Sequence, residues 1–315
     1  MRPARRRFMA LTAAAGGIAL LPGRSSFDGE PLIWRGDALG AEASLELYAP
    51  DRATGRRVLA QCLAELERLE RIFSLYRDDS SLVQLNRQGA LDAPPIELVQ
   101  LLAFGSRFSE LTGGAFDTTV QPLWNLYAAH FARPDADPHG PSAAMVAEAR
   151  RFVDWRGIAI DPGRISFARP GMAVTLNSVG QGYITDKVAQ LLRHAGMTHV
   201  LVDMGEIQAI GAHPDGAPWT VGLEDGRQIQ VVDRGVSTSA PSGTRFSPYC
   251  NHIFDPATGF CSQMQGSVTV VAPSATLANA VSTSVAVGTP GMAEHLARAL
   301  ADVQIIFGGW SPNPV

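Results

Sequence analysis

The sequence predicts an α+β fold in one compact unit, and three observations lead there. Strand-like and helix-like stretches are interspersed without a regular βαβ period, which argues against a doubly wound sheet. The 315 residues are 46% hydrophobic and 18% charged, enough apolar material for a sizeable core. No internal repeat, low-complexity tract or clear interdomain linker divides the chain.

Along the chain, Ser44-Leu45-Glu46-Leu47-Tyr48 alternates as a half-buried strand does. Leu59, Leu63, Leu66, Leu69 and Phe73 recur at helical spacing over 56–73. A second helix is predicted over 96–111, stopped by Thr112-Gly113-Gly114. Residues 133–142, rich in Pro, Asp, Gly and His, read as an exposed loop. A short helix over 145–152 precedes strand-like pieces at 158–160 and 173–176. A helix over 182–195 leads to a buried strand at 199–203. Segments 219–223 and 228–232 flank Glu224-Asp225-Gly226 as a hairpin. A β-branched strand at 267–272, helices over 277–287 and 292–300, and a strand at 303–307 complete the pattern.

A net charge of −4 gives no general electrostatic attraction for nucleic acid, so none is expected as a partner. Arg5-Arg6-Arg7-Phe8-Met9 precedes an apolar, Ala/Gly-rich run over 10–21, too short to span a bilayer. Residues 1–25 therefore read as an export signal of twin-arginine type, and 26–315 as the folded domain. That places the protein in the periplasm, with membrane contact only through the signal or a membrane-bound partner. An oxidising compartment would allow a disulfide, for which Cys250 and Cys261 are the natural pair, while Cys62 lies on a helical apolar stripe.

Common hydrolase, zinc-protease and Walker signatures are absent. Gly180-Gln181-Gly182 begins like a dinucleotide loop but has Thr185 where the third glycine would fall. Four segments stand out together. They are 73–80 around Tyr76, Gly113-Gly114-Ala115-Phe116-Asp117-Thr118-Thr119, Ser178-Val179-Gly180-Gln181-Gly182, and Asn251-His252-Ile253-Phe254-Asp255-Pro256-Ala257-Thr258-Gly259. Each alone has a plain structural explanation: a helix C-cap, a turn, or a histidine bonded within the core.

In this order they resemble the ApbE family of FAD:protein FMN transferases, from about Leu39 to Ala301. The likeness rests on His252-Ile253-x-Asp255-Pro256-x-Thr258-Gly259 followed by Ser267–Pro273, and on Gly113–Leu123. Val202–Ile207 and Val236–Ser239 also look like family segments. The resemblance implies a single T-fold-related domain with mixed, mainly antiparallel sheets and packed helices. It implies an exported enzyme that uses FAD and Mg²⁺ and moves FMN onto a Thr of an acceptor flavoprotein, releasing AMP. An FAD-binding carrier of the same fold is the alternative.

The site residues follow from the same likeness. Leu39, Tyr76, Ala115, Phe116, Asp117, Thr175, Gly180, Gln181, Gly182, His252 and Ile253 are expected at the nucleotide. Tyr76 would stack on a ring, and the amides after Gly180 would favour phosphate. Ser178, Asn279 and Thr283 are expected to ligate the metal; the last two are four apart on a predicted helix and share a face. Candidate catalytic positions are Thr175, His252 and Asp255. Thr175 and Asn279 stand where the family usually has Asp, and Gln181 where it has Lys or Glu. A hydroxyl at 175 is no general base at ordinary pH, and an amide at 279 lacks a carboxylate's ionic attraction for Mg²⁺. Asp203 and Asp255 are the acidic residues considered as compensation.

Overall fold

The computed structural model describes residues 30–309. The 1–25 signal segment lies outside them. Strands β1 (Leu32–Ala38) and β2 (Ala41–Leu47) form a hairpin whose inward residues alternate with exposed ones. Helix α1 (Arg52–Phe73) starts earlier than its apolar stripe, because the Asp51 side chain accepts from the Thr54 amide at 2.9 Å and caps it. Then come α2 (Ser81–Gln88), β3 (Ala90–Asp92), α3 (Ile96–Leu111), α4 (Gln121–Phe131) and α5 (Ala143–Arg150). Strands β4 (Ile158–Asp161) and β5 (Arg164–Phe167) precede α6 (Gly180–His194), β6 (Val200–Asp203) and β7 (Ile207–Ile210). The chain ends with β8 (Trp219–Gly222), β9 (Gln228–Val231), β10 (Gly235–Ser239), β11 (Ser267–Ala272), α7 (Ala275–Ala286), α8 (Met292–Ala299) and β12 (Gln304–Gly308).

Seven strands form the main sheet in the order β1-β2-β6-β7-β10-β11-β12, and every pairing among the described strands is antiparallel. Alternation sorts its two faces. Val200, Val202, Val268 and Val270 point into the large core with α1, α6 and α7. Leu201, Ala209 and Val236 point the other way and are covered by Trp219, Val221 and Val231 of the β8–β9 hairpin. A satellite core of Leu123, Tyr127, Val146, Cys250, Phe254 and Cys261 joins α4 and α5 to the loop after β10.

Two expectations are corrected. Residues 173–176 form no strand. Their backbone is pinned instead by Asn86, which exchanges two bonds with Val174 at 2.8 and 2.7 Å, and by Thr118 O, which accepts from Thr175 N at 2.8 Å. Side chains and a loop supply what a sheet ladder otherwise would. Cys250 and Cys261 are free buried thiols rather than a disulfide, and burial pushes the Cys261 thiol up to about 12. Cys62 is a buried thiol on the α1 stripe, as its spacing implies.

Candidate active site

The β1–β2 turn is the first piece. Leu39 has φ 48°, unusual for a branched side chain, and Glu70 of α1 holds it by accepting its N–H at 2.8 Å. Tyr76 follows α1 in a turn tied by Ser74 and Ser80. Its ring is 61% exposed, yet a methyl at Gly40 would lie 3.3 Å from it. A methyl at Gly180 would lie 3.4 Å from Leu39 Cδ1. Leu39, Tyr76 and Gly180, remote in sequence, therefore surround one spot, and an exposed aromatic there offers a stacking surface.

The Gly113–Thr119 segment leaves α3 through two positive-φ glycines. Phe116 is buried to 2% and meets Phe108 edge to face at 5.3 Å. The Asp117 carboxylate accepts from Thr119 N and Oγ1 and from Trp155 N at 2.6–3.1 Å. Burial raises its pKa against the pull of those bonds. Both side chains brace the loop, while Ala115, half-buried, stays at its surface. Thr175 hangs on Thr118 and accepts Asn177 N through Oγ1 at 3.3 Å. Ser178 lies in the turn that opens α6.

No side chain caps α6 at Val179; the Gly180 amide donates to Leu176 O, and the helix start carries the positive end of the helix dipole. Gly182 lies against the start of α7, where a methyl would be 2.5 Å from Ala275 O. Asp186, one turn on, clamps that start: its carboxylate accepts from Ala275 N, Thr276 N and Thr276 Oγ1. Gln181 packs over the β6–β7 turn, since a methyl at Gly205 would lie 2.5 Å from its Nε2.

On α7, Asn279 is buried to 3% and Glu206 to 6%. Asn279 Nδ2 donates to Glu206 Oε1 at 2.8 Å. The amide nitrogen thus faces Glu206, and Oδ1 faces away. That Oδ1 is buried without a hydrogen-bond partner. A row of hydroxyls continues the site: Ser282 meets Ser237 and Ser239 at 2.9 Å each, and Ser239 meets Thr283 at 3.4 Å. Glu206 and this row escaped sequence reasoning, because both depend on β6–β7 and β10 folding against α7. The acidic residue at the end of Val202–Ile207 was the available signal.

His252 sits where the loop after β10 doubles back. Its N and Nδ1 both contact Thr244 O, at 3.2 and 3.0 Å. A carbonyl can only accept, so Nδ1 is the donor in that contact. Ile253 is buried to 6% against Ala286 and Val287, its N–H donating to Asn251 Oδ1. The Asp255 carboxylate closes its own turn, accepting from Ala257 N and Thr258 Oγ1 at 2.9 Å. A cavity of 660 Å³ beside that turn is lined by Asp255, Phe260, Met264 and Gly288 among others. None of the Leu39, Tyr76 or Gly180 group lines it.

Asp203, at the end of β6, accepts from Gly205 N at 3.0 Å, and burial lifts its pKa to about 7, with Glu42 adding repulsion. Unfolded, it titrates near 4, so between about pH 4 and 7 the folded chain keeps a proton that the unfolded chain has lost. Stability should fall as pH rises through that window, by on the order of 2–4 kcal/mol, and level off above it. Asp203→Asn should flatten the slope in urea unfolding at pH 5 to 8. An unchanged slope would remove Asp203 as its source.

The ApbE family model matches residues 39–307, the stretch that holds the four segments 73–80, 113–119, 178–182 and 251–259. The chain belongs to the ApbE family. Among ApbE relatives it is 28% identical over 287 residues to the FAD:protein FMN transferase of Klebsiella pneumoniae, covering 84% of this chain and 80% of that one. It is 31% identical over 264 residues to that of Treponema pallidum, covering 72% and 70%. A solved variant of the Vibrio cholerae flavin transferase ApbE superposes with TM-score 0.77 at 25% identity, over 90% of this chain and 95% of that one. The apo flavinyl transferase ApbE of Pseudomonas stutzeri gives the same TM-score and identity over 90% and 92%. The α+β class read from the sequence, and the mainly antiparallel sheets that the resemblance implied, are those of the ApbE fold.

Proposed function

We propose that this ApbE chain is an FAD:protein FMN transferase acting on a Thr of an exported acceptor flavoprotein. The observation that carries the reading is the match over 84% of the chain to a relative of that name. The gathering of Leu39, Tyr76 and Gly180 around one spot supports it. Leu39 and Tyr76 flank the ring system, and the opening turn of α6 faces the pyrophosphate. The acceptor hydroxyl oxygen attacks the phosphorus of the FMN half, the bond to the AMP half breaks, and AMP leaves with that electron pair. Nε2 of His252 takes the hydroxyl proton.

By the family resemblance Asn279 Oδ1, Thr283 Oγ1 and the Ser178 carbonyl would hold Mg²⁺, and oxygen ligands are what a hard divalent cation takes. The buried Oδ1 without a partner is the sign of such a fit. Among the described residues no three His, Cys, Asp or Glu side chains converge on a metal, which disfavours a zinc-type centre. When bound, the ion neutralises charge on phosphate oxygens. Export by the twin-arginine route rests on Arg5–Met9 and the apolar run after it.

Incubating the protein with FAD, Mg²⁺ and an acceptor flavoprotein should raise the acceptor's mass by one FMN. FAD binding with no mass gain would make the chain a flavin carrier instead. Full-length chain retained in the cytoplasm would overturn the export reading.

A further inference from the structure

We propose that Glu206 supplies the negative charge of the cation site, holding Asn279 so that its Oδ1 faces the ion. The inference rests on the metal-dependent reading above and adds a residue to it. An amide at 279 has no charge, and neither Asp203 nor Asp255 stands in for it. Asp255 is spent on its own turn, and Asp203 on the Gly205 amide. Glu206 is the carboxylate that reaches Asn279, at 2.8 Å.

Three features place it there. Gly205 takes φ 95°, so the chain turns sharply after β6. Met204 N donates to Glu206 O at 3.1 Å, and Thr185 Oγ1 of α6 shares its proton between Gln181 O at 2.8 Å and that carbonyl at 3.0 Å. The backbone is thereby fixed from two sides, and the side chain points at α7. By accepting from Nδ2, Glu206 decides the amide's orientation and polarises it, making Oδ1 a stronger donor of electron density. The charge the family usually carries on α7 has moved to the β6–β7 turn, one hydrogen bond away. Glu206 is a positioning residue here, acting through Asn279.

Mn²⁺ titrated into the full chain, followed by electron paramagnetic resonance without flavin or acceptor, tests this. Glu206→Gln should weaken Mn²⁺ binding at least about tenfold, the usual cost of losing a partner behind a ligand. Glu206→Asp should recover part of the loss. Adding Asn279→Asp to Glu206→Gln returns a carboxylate to α7 and should restore affinity to within a few-fold of the natural chain. Asn279→Asp alone sets two carboxylates side by side, so it should bind Mn²⁺ more tightly and gain more thermal stability from it. This variant carries the test if Glu206→Gln fails to fold. Equal affinity in Glu206→Gln and the natural chain would overturn the proposal, as would a double variant no better than Glu206→Gln. If Asn279→Asp binds no more tightly than the natural chain, Asn279 is not a ligand and the proposal also falls. The outcome is separate from catalysis: a chain that binds Mn²⁺ in this pattern but adds no FMN to an acceptor loses the transferase reading and keeps this one.

Discussion

Gly182→Ala should destabilise the protein by about 3 kcal/mol, the upper range for overpacking a tight contact. The added methyl would lie 2.5 Å from Ala275 O, 2.7 Å from Ala275 C and 2.8 Å from Thr276 Cα. All three are backbone atoms, so no rotamer change relieves them. The gain in helix propensity from Gly to Ala is at most about 1 kcal/mol and smaller in a first turn, so the clash wins. Relief requires α6 and α7 to separate at their N-termini, and that strains the Asp186 clamp on Ala275 and Thr276. It also moves Asn279 away from Glu206. Urea unfolding should show a lower midpoint, and Mn²⁺ affinity should drop with it. An unfolding free energy within about 0.5 kcal/mol of the natural protein's, the range of neutral substitutions, would show that the two helices are not held in contact there.

Phe116→Ala should cost about 3–5 kcal/mol, as buried aromatic truncations do. The ring is fully enclosed between α3 and the Gly113–Thr119 loop, edge-on to Phe108. Sequence resemblance places Phe116 at the nucleotide, whereas its side chain lies in the core. A pocket residue and a core residue give different signatures. If Phe116 acts through packing, the variant loses stability, and FAD affinity suffers only as the loop loosens. Lost FAD affinity with an unchanged unfolding midpoint would instead make the ring a direct nucleotide contact.

Much of the architecture is legible in one dimension because local pattern carries it. The α3 and β11 boundaries match their periodicity to the residue, and the β8–β9 hairpin follows from Glu224-Asp225-Gly226. Other elements were too short or too dependent on context. Helix α2 has eight residues, with its ends marked by Ser80 and Gly89 rather than by a long apolar stripe. Strand β10 is recognisable only beside β7 and β11. The apolar run 173–176 has a strand's composition, but Asn86 and Thr118 take its hydrogen bonds.

For the site, the sequence by itself determined the family, the order of the four segments and the uncharged residue at 279. Those depend on residue identity and spacing along the chain. Only the tertiary structure decided what each side chain does. It sent Phe116 inward, committed Asp255 to its own turn and Asp117 to its own loop and the Trp155 amide, and set Glu206 against Asn279. The physical reason is distance: 73 residues separate Glu206 from Asn279, and no local pattern encodes a hydrogen bond across that gap. It forms because the antiparallel sheet brings the β6–β7 turn under α7, where a buried carboxylate and a buried amide must satisfy each other.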